Sequence, residues 1–121
     1  MPKKILLVDD DTGLCRELAE VLRDEGYEVD DICDAFRAAD LIKENRYDIF
    51  LFDYKMVGLN GAELIRLVKA KDSCGKIFII SGCPHIEKTL EYENVALWVS
   101  EIIPKPFDIK LLLEKIKTAL A

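Results

Sequence analysis

Residues 5–11 read Ile-Leu-Leu-Val-Asp-Asp-Asp, and residues 49–53 read Ile-Phe-Leu-Phe-Asp. Each stretch is a short apolar run that ends directly in aspartate. Runs of this length predict strands, and the second run, apolar on both faces, suits the centre of a sheet that is covered on both sides. The aspartates would then lie at the carboxyl ends of two strands, where open α/β sheets bind their ligands.

Apolar runs of strand length alternate along the chain with segments of helical periodicity. This alternation predicts βαβ units around a five-stranded parallel sheet, and right-handed crossovers make it an open, doubly wound, three-layer α/β fold. The predicted strands are 5–8, 27–32, 47–52, 76–80 and a fifth within Val95–Val99 or extending to Ile103. Five helices are predicted. The first begins after a cap at Thr12 or Asp11 and ends at Gly26, and the second runs from Asp34 to about Asn45 with Phe36 facing inward. The third covers Gly61–Lys71, the fourth is a short piece of His85–Glu93, and the fifth follows Pro106.

Composition narrows the classes of function. The chain has 121 residues, which predicts one domain over residues 1–121. A formal net charge of −6 without a basic stripe makes direct nucleic-acid binding unfavourable. The apolar runs are far shorter than the roughly 20 residues of a membrane span, and the N-terminus has no long apolar stretch typical of a secretory signal. We therefore expect a cytoplasmic protein without a membrane partner.

The four cysteines contain no Cys-x-x-Cys pair and have one histidine as a companion. Neither a zinc site nor a redox motif is spelled out by this spacing. Free and mostly buried thiols are the prediction.

Charged and hydroxyl side chains follow four of the predicted strands. Three or more carboxylates that lie close together repel one another unless a divalent cation neutralises them or their pKa values rise. Ligands that offer only oxygen favour a hard ion, and Mg²⁺ fits best. A lysine and a hydroxyl on the opposite rim would complete a cradle for a phosphoryl group, so the edge predicts phosphoryl transfer. The residues are Asp9, Asp10 and Asp11 after the first strand, Asp53 after the third, Ser81 after the fourth and Lys105 after the fifth.

Five motifs, each at a strand end or the loop that follows it, carry a family resemblance. They are Ile5–Asp10, Phe50–Met56, Asn60-Gly61, Ile79–Gly82 and Lys105–Phe107. In this order they resemble the receiver domain of bacterial two-component response regulators, the family of the single-domain chemotaxis regulator. The resemblance covers essentially the full length and implies a flavodoxin-like sheet of strand order 2-1-3-4-5.

The resemblance also implies a role for each residue. Asp53 would take a phosphoryl group from a phosphohistidine on a sensor histidine kinase or a histidine phosphotransfer protein. The protein would be a signalling domain and not an enzyme, since it would catalyse only its own phosphorylation and dephosphorylation. Mg²⁺, or Mn²⁺ in its place, would be bound by Asp10, by Asp53, by Asp9 mainly through water, and by the backbone carbonyl of Lys55. Lys105 and Ser81 would bind the phosphoryl group. The resemblance also implies a cis peptide before Pro106.

A partner-binding surface is implied as well. When Ser81 moves toward the phosphoryl group, the loop behind the fourth strand would follow and bias a surface formed by the fourth helix, fifth strand and fifth helix. An effector protein, or an output domain missing from this chain, would bind that surface, and the chain would be a monomer or a weak dimer through it. Ile102 replaces the aromatic residue of the usual switch, which modifies the expected coupling.

Two alternatives stay open. The run Asp9-Asp10-Asp11-Thr12 approaches the Asp-x-Asp-x-Thr pattern of haloacid-dehalogenase-like phosphatases, with Asp9 as nucleophile, although Thr12 stands one residue early. The other is a pseudo-receiver that is never phosphorylated and acts only as a protein-interaction module. A phosphoryl group trapped on Asp9 would favour the first, and failure to bind magnesium would favour the second.

Overall fold

The computed structural model describes residues 2–121. Five parallel strands form one sheet in the order β2-β1-β3-β4-β5, as predicted. A helix follows each strand. The elements are β1 Lys4–Val8, α1 Thr12–Asp24, β2 Glu28–Ile32, α2 Ala35–Glu44, β3 Ile49–Asp53, α3 Gly61–Ala70, β4 Lys76–Ser81, α4 Ile86–Tyr92, β5 Glu101–Pro104 and α5 Ile109–Ala119.

The central strand β3 is buried along its whole length. Its alternate side chains enter two separate apolar clusters, because successive residues of a strand point to opposite faces. Phe50 and Phe52 pack with side chains of α2, α3 and α4. Ile49 and Leu51 pack with side chains of α1 and α5. This burial explains why β3 reads as a continuous apolar run instead of an alternating one.

Most helices begin with a side-chain cap. Asp11, Asp34 and Asp108 each accept a hydrogen bond from a backbone N–H in the first turn of the following helix. Asn60 caps α3 in a reciprocal arrangement with Glu63. Such caps satisfy backbone donors that have no partner inside the helix. Of the two caps considered for α1, the structure has Asp11.

The prediction of a strand at Val95–Val99 is wrong. Asn94, with a φ of 62°, redirects the chain after α4, and Ala96–Trp98 form a single 3₁₀ turn. Val95 is buried in the core, and Ala96 and Val99 pack against it, but Leu97 is fully exposed, as a turn allows. The fifth strand begins later, at Glu101, inside the longer predicted range that ended at Ile103, and it runs to Pro104.

Phe36 is also placed differently from the prediction. It does not face the core of α2 but is 60% exposed. Its ring covers Gly58, where an added Cβ would come within 2.5 Å of the ring. The buried face of the first turn is formed by Ala35 and Ala38, so Phe36 lies on the outer side of α2.

The cysteines are less buried than predicted. Only Cys15 is buried; Cys33 and Cys74 are exposed, and Cys83 is half-buried. All are free thiols.

Within residues 2–121, no helix has the length and apolar character needed to cross a bilayer.

Alkylating reagents, which form no mixed disulfide, are expected to separate these cysteines by rate. Cys33 and Cys74 should react first, Cys83 more slowly and Cys15 only on unfolding. Burial, with the charges of Asp31 and Asp9, raises the pKa of the Cys15 thiol to about 12, so little reactive thiolate forms. A time course with N-ethylmaleimide, combined with peptide mapping, measures the order. Rapid modification of Cys15 in the folded protein would contradict its burial.

Candidate functional site

The carboxyl edge of the sheet brings four of the expected residues together. Asp9 follows β1, Asp53 and Ser81 end β3 and β4, and Lys105 follows β5. Asp9, Asp53 and Ser81 are 2%, 7% and 3% exposed, unlike the other polar side chains of the described region. Buried polar groups are unfavourable unless they have partners. The edge is therefore organised around these side chains.

Lys105 bridges the two buried carboxylates. Its Nζ lies 3.1 Å from Asp9 Oδ2 and 3.6 Å from Asp53 Oδ1. The backbone N–H of Lys105 donates to the carbonyl of Ser81, which aligns the end of β5 with β4. Burial disfavours the ammonium, but the hydrogen bond to Asp9 and the charge of Asp53 outweigh it and raise the pKa of Lys105. The peptide bond from Lys105 to Pro106 is cis.

One ammonium does not balance the carboxylates. Asp9, Asp10 and Asp53 each offer an oxygen, and these oxygens lie within 4.8 Å of one another. Burial first, and then the charge of Asp9, raises the pKa of Asp53 to about 6; Asp10 adds to this and Lys105 opposes it. A compact set of oxygen donors with excess negative charge is the chemistry that a hard divalent cation requires. The residues present fit Mg²⁺.

Two hydrogen bonds hold the carboxylate of Asp9 in place. Its Oδ1 accepts a hydrogen bond of 2.9 Å from the backbone N–H of Asp11, while its Oδ2 accepts from Lys105. The sequence placed Asp11 both in the acidic cluster and as a cap of α1; its side chain caps α1, and the carboxylates that lie together are those of Asp9, Asp10 and Asp53. The backbone role of Asp11 could have been suspected from the Asp-x-Asp spacing, since an aspartate often accepts from the N–H two residues on.

Ser81 is oriented by a contact that the sequence did not reveal. Its Oγ accepts a hydrogen bond of 2.9 Å from the backbone N–H of Cys83. A hydroxyl has one donor and two acceptor positions. Because the Cys83 N–H occupies an acceptor position, the Ser81 O–H remains free to donate.

The loop after β3 passes close to Asp53. The N–H of Gly61 donates to the carbonyl of Tyr54, which closes this loop, and Lys55 stands exposed within it. A Cβ on Gly61 would lie 3.0 Å from Tyr54 Cα and 3.2 Å from the Asp53 carbonyl oxygen. Glycine therefore lets α3 begin directly against the strand end. Ile102 is not at this edge: it is half-buried on β5 and packs against the cluster that contains Phe50 and Phe52.

Comparison with known proteins places the chain in a family. Residues 5–117 match the response regulator receiver domain family. The chain is 29% identical to sporulation initiation phosphotransferase F of Bacillus subtilis over 117 residues, which cover 97% of this chain and 93% of that protein. It is 31% identical to the DNA-binding response regulator MtrA of Mycobacterium tuberculosis over 120 residues, 99% of this chain and 51% of MtrA. The chain thus spans about half the length of the MtrA proteins.

Solved structures agree. A CheY-like receiver domain protein from Methanospirillum hungatei superposes with a TM-score of 0.88 at 31% identity, covering 99% of this chain and 94% of that one. The Thermotoga maritima regulator TrrA, solved in complex with Mg²⁺-BeF, superposes with a TM-score of 0.83 at 28% identity, covering 97% and 98%. The match over residues 5–117, together with the buried Asp53 and the half-buried Lys105 at one edge of a 2-1-3-4-5 sheet, shows that the chain belongs to the response regulator receiver domain family.

Proposed function

We propose that residues 1–121 act as one receiver domain in which Asp53 accepts a phosphoryl group from a phosphohistidine. The donor would be a sensor histidine kinase or a histidine phosphotransfer protein. The observation that carries this proposal is the buried Asp53 carboxylate beside Lys105 and two further carboxylates. A carboxylate can act as a nucleophile toward phosphorus when the surrounding charges hold the incoming group.

Asp53, Lys105 and Ser81 would each have a separate role in the phosphoryl transfer. An Asp53 oxygen attacks phosphorus, the phosphorus–nitrogen bond breaks, and its electron pair leaves with the imidazole, which takes up a proton. Lys105 would exchange its contact with Asp53 for a phosphoryl oxygen, and the free Ser81 O–H would donate to another. With a pKa of about 6, Asp53 is largely ionised at pH 7 and available for attack.

Mg²⁺, or Mn²⁺ in its place, would be held by Asp10 and Asp53, by Asp9 mainly through water, and by the carbonyl of Lys55. The ion supplies positive charge that offsets the repulsion between the carboxylates and the phosphoryl oxygens. The composition of the acidic cluster supports this assignment, as does the binding of Mg²⁺-BeF by TrrA.

Substituting Asp10 by asparagine is expected to weaken Mg²⁺ binding on the order of tenfold or more, because a carboxylate–cation contact near the surface is worth a few kcal/mol. Isothermal titration calorimetry measures the affinity. Asp40→Asn is the matched control, since Asp40 is exposed on α2, away from the cluster. Equal affinity in Asp10→Asn and Asp40→Asn would remove Asp10 from the ligand set.

The function itself is tested with a small phosphodonor. Wild-type protein incubated with acetyl phosphate and Mg²⁺ should gain one phosphoryl group in intact-mass spectrometry, and excess chelator should prevent the gain. If Mg²⁺ binds in calorimetry and no phosphoryl group is added, the pseudo-receiver alternative is favoured instead. The phosphatase alternative is not favoured by the match to the receiver domain family over residues 5–117.

As a member of this family the chain is a signalling domain. We propose that it catalyses only its own phosphorylation and dephosphorylation. Despite the DNA-binding name of MtrA, we propose no direct nucleic-acid contact for this chain, whose net charge is −6. The cytoplasmic location stays a prediction.

The output surface would be formed by α4, β5 and α5. Tyr92, Leu97 and Leu111 are 84%, 100% and 51% exposed on or beside these elements. Trp98 is 41% exposed in the 3₁₀ turn, and exposed aromatic side chains are frequent anchors in protein interfaces. We propose that an effector protein or an output domain binds here, that self-association through this surface is weak or absent, and that Ile102 alters the coupling to Ser81.

A further inference from the structure

Two of the cysteines stand on neighbouring elements: Cys15 is on α1, and Cys33 directly follows β2. Cys15, Ala19 and Arg23 recur every four residues, so they share one face of α1. At the far end of this face, Arg23 Nη2 donates to Asp31 Oδ1 at 2.6 Å and to the Val29 carbonyl at 2.8 Å. The face of α1 that contains Cys15 therefore packs along β2.

The register of this packing places Cys15 opposite Cys33. Val29 and Asp31 alternate along β2 and face α1, since Val29 belongs to the apolar cluster of α1 and Asp31 pairs with Arg23. Cys33 comes two residues after Asp31, directly beyond the end of β2. Since α1 returns the chain between the parallel strands β1 and β2, it runs antiparallel to β2. A step of four residues along a helix and a step of two residues along a strand both cover about 6–7 Å. Stepping from Arg23 toward Cys15 thus corresponds to stepping from Val29 toward Cys33.

A direct contact agrees with this register. The Cys15 Sγ donates a hydrogen bond of 3.9 Å to the carbonyl oxygen of Ile32, which belongs to the peptide group that leads into Cys33. The same carbonyl accepts a hydrogen bond of 3.2 Å from the N–H of Asp9. Cys15 is buried and Cys33 is exposed, so a reagent in solution reaches Cys33 first.

We propose that Cys15 and Cys33 form a dithiol that a small disulfide of the glutathione class oxidises to an intramolecular disulfide. The Cys33 thiolate attacks one sulfur of the oxidised glutathione, forming a mixed disulfide and releasing one glutathione thiolate. Cys15 then attacks the Cys33 sulfur, loses its proton to solvent, and releases the second glutathione thiolate. The pair of cysteine thiols is oxidised and the glutathione disulfide is reduced to two thiols.

The other cysteines are too far away to replace this pair. Cys83 follows β4, which is three strand spacings from β2, or roughly 14 Å. Cys74 precedes β4 and lies at the opposite edge of the sheet. A bond between Cys15 and Cys33 would tie the start of α1, close to Asp9 and Asp11, to the junction of β2 with α2. This proposal is independent of the phosphoacceptor role.

Peptide mapping of the whole chain tests the pair. Folded wild-type protein is incubated with oxidised glutathione, free thiols are blocked, and the protein is digested without reductant. A linked peptide pair containing Cys15 and Cys33 is expected, and it should disappear after dithiothreitol. Glutathione retained on Cys33 with a free Cys15, or disulfide-linked dimers through Cys33 alone, would overturn the proposal.

A double variant, Cys74→Ser with Cys83→Ser, gives a cleaner readout by intact mass. The monomer is expected to lose two hydrogens under the same conditions. Adding Cys15→Ala should stop the reaction at the glutathione adduct on Cys33, and adding Cys33→Ser should leave Cys15 unmodified while the fold persists. Circular dichroism checks the fold of each variant. A linked peptide pair that appears only after the protein is denatured would also overturn the proposal.

Discussion

Asp53→Asn protein is expected to gain no phosphoryl group from acetyl phosphate and Mg²⁺. The amide that replaces the carboxylate has nearly the same shape but lacks the anionic oxygen that attacks phosphorus. Asp53 is only 7% exposed, but the amide has nearly the same size and shape as the carboxylate, so the packing is disturbed little and the fold should persist. Intact-mass spectrometry of the variant beside wild type measures the loss.

Asp40→Asn is the control for this experiment, because it removes the same charge from an exposed position on α2. It should be labelled like wild type. If Asp53→Asn is labelled as well as wild type and peptide mapping places the phosphoryl group on Asp9, the nucleophile is Asp9. The phosphatase alternative would then replace the receiver function proposed for Asp53.

Lys105→Met is expected to lower both the labelling and the stability of the metal-free protein. Methionine keeps much of the apolar stem of lysine but removes the ammonium that contacts Asp9 and Asp53. Removing one partner of a largely buried ion pair leaves an uncompensated charge and destabilises a protein by about 3–5 kcal/mol. Urea denaturation at pH 7 in chelator measures the free energy of unfolding.

Two further measurements distinguish lost charge from lost packing. Adding Asp53→Asn to Lys105→Met removes one of the repelling carboxylates, so the double variant should regain part of the lost stability. Mg²⁺ should stabilise Lys105→Met more than wild type, because it replaces the missing positive charge. If neither change restores stability, the loss arises from packing and the electrostatic account of Lys105 is wrong. Lys115→Met is the matched control, since Lys115 pairs with Glu101 on a more exposed surface.

Much of the fold could be predicted because its signals are local. The apolar runs before Asp9 and Asp53 predict buried strands wherever the rest of the chain goes. Asp34 and Asn60 cap their helices through contacts with residues only a few positions away. The expectation for Val95–Val99 was wrong because the same apolar composition suits a strand and a turn with one buried residue. The choice depends on Asn94 and on the space left beside α4.

The candidate site divides in the same way. The sequence alone determined which chemical groups are available and at which strand ends they stand, because parallel strands carry their carboxyl ends to one edge. Only the tertiary structure decided the distances between Lys105, Asp9 and Asp53 and the excess of negative charge over one ammonium. It also decided the hydrogen bond that leaves the Ser81 proton free and the contact of Cys15 with the Ile32 carbonyl. These contacts join residues distant in sequence, and their geometry depends on how the helices pack against the sheet.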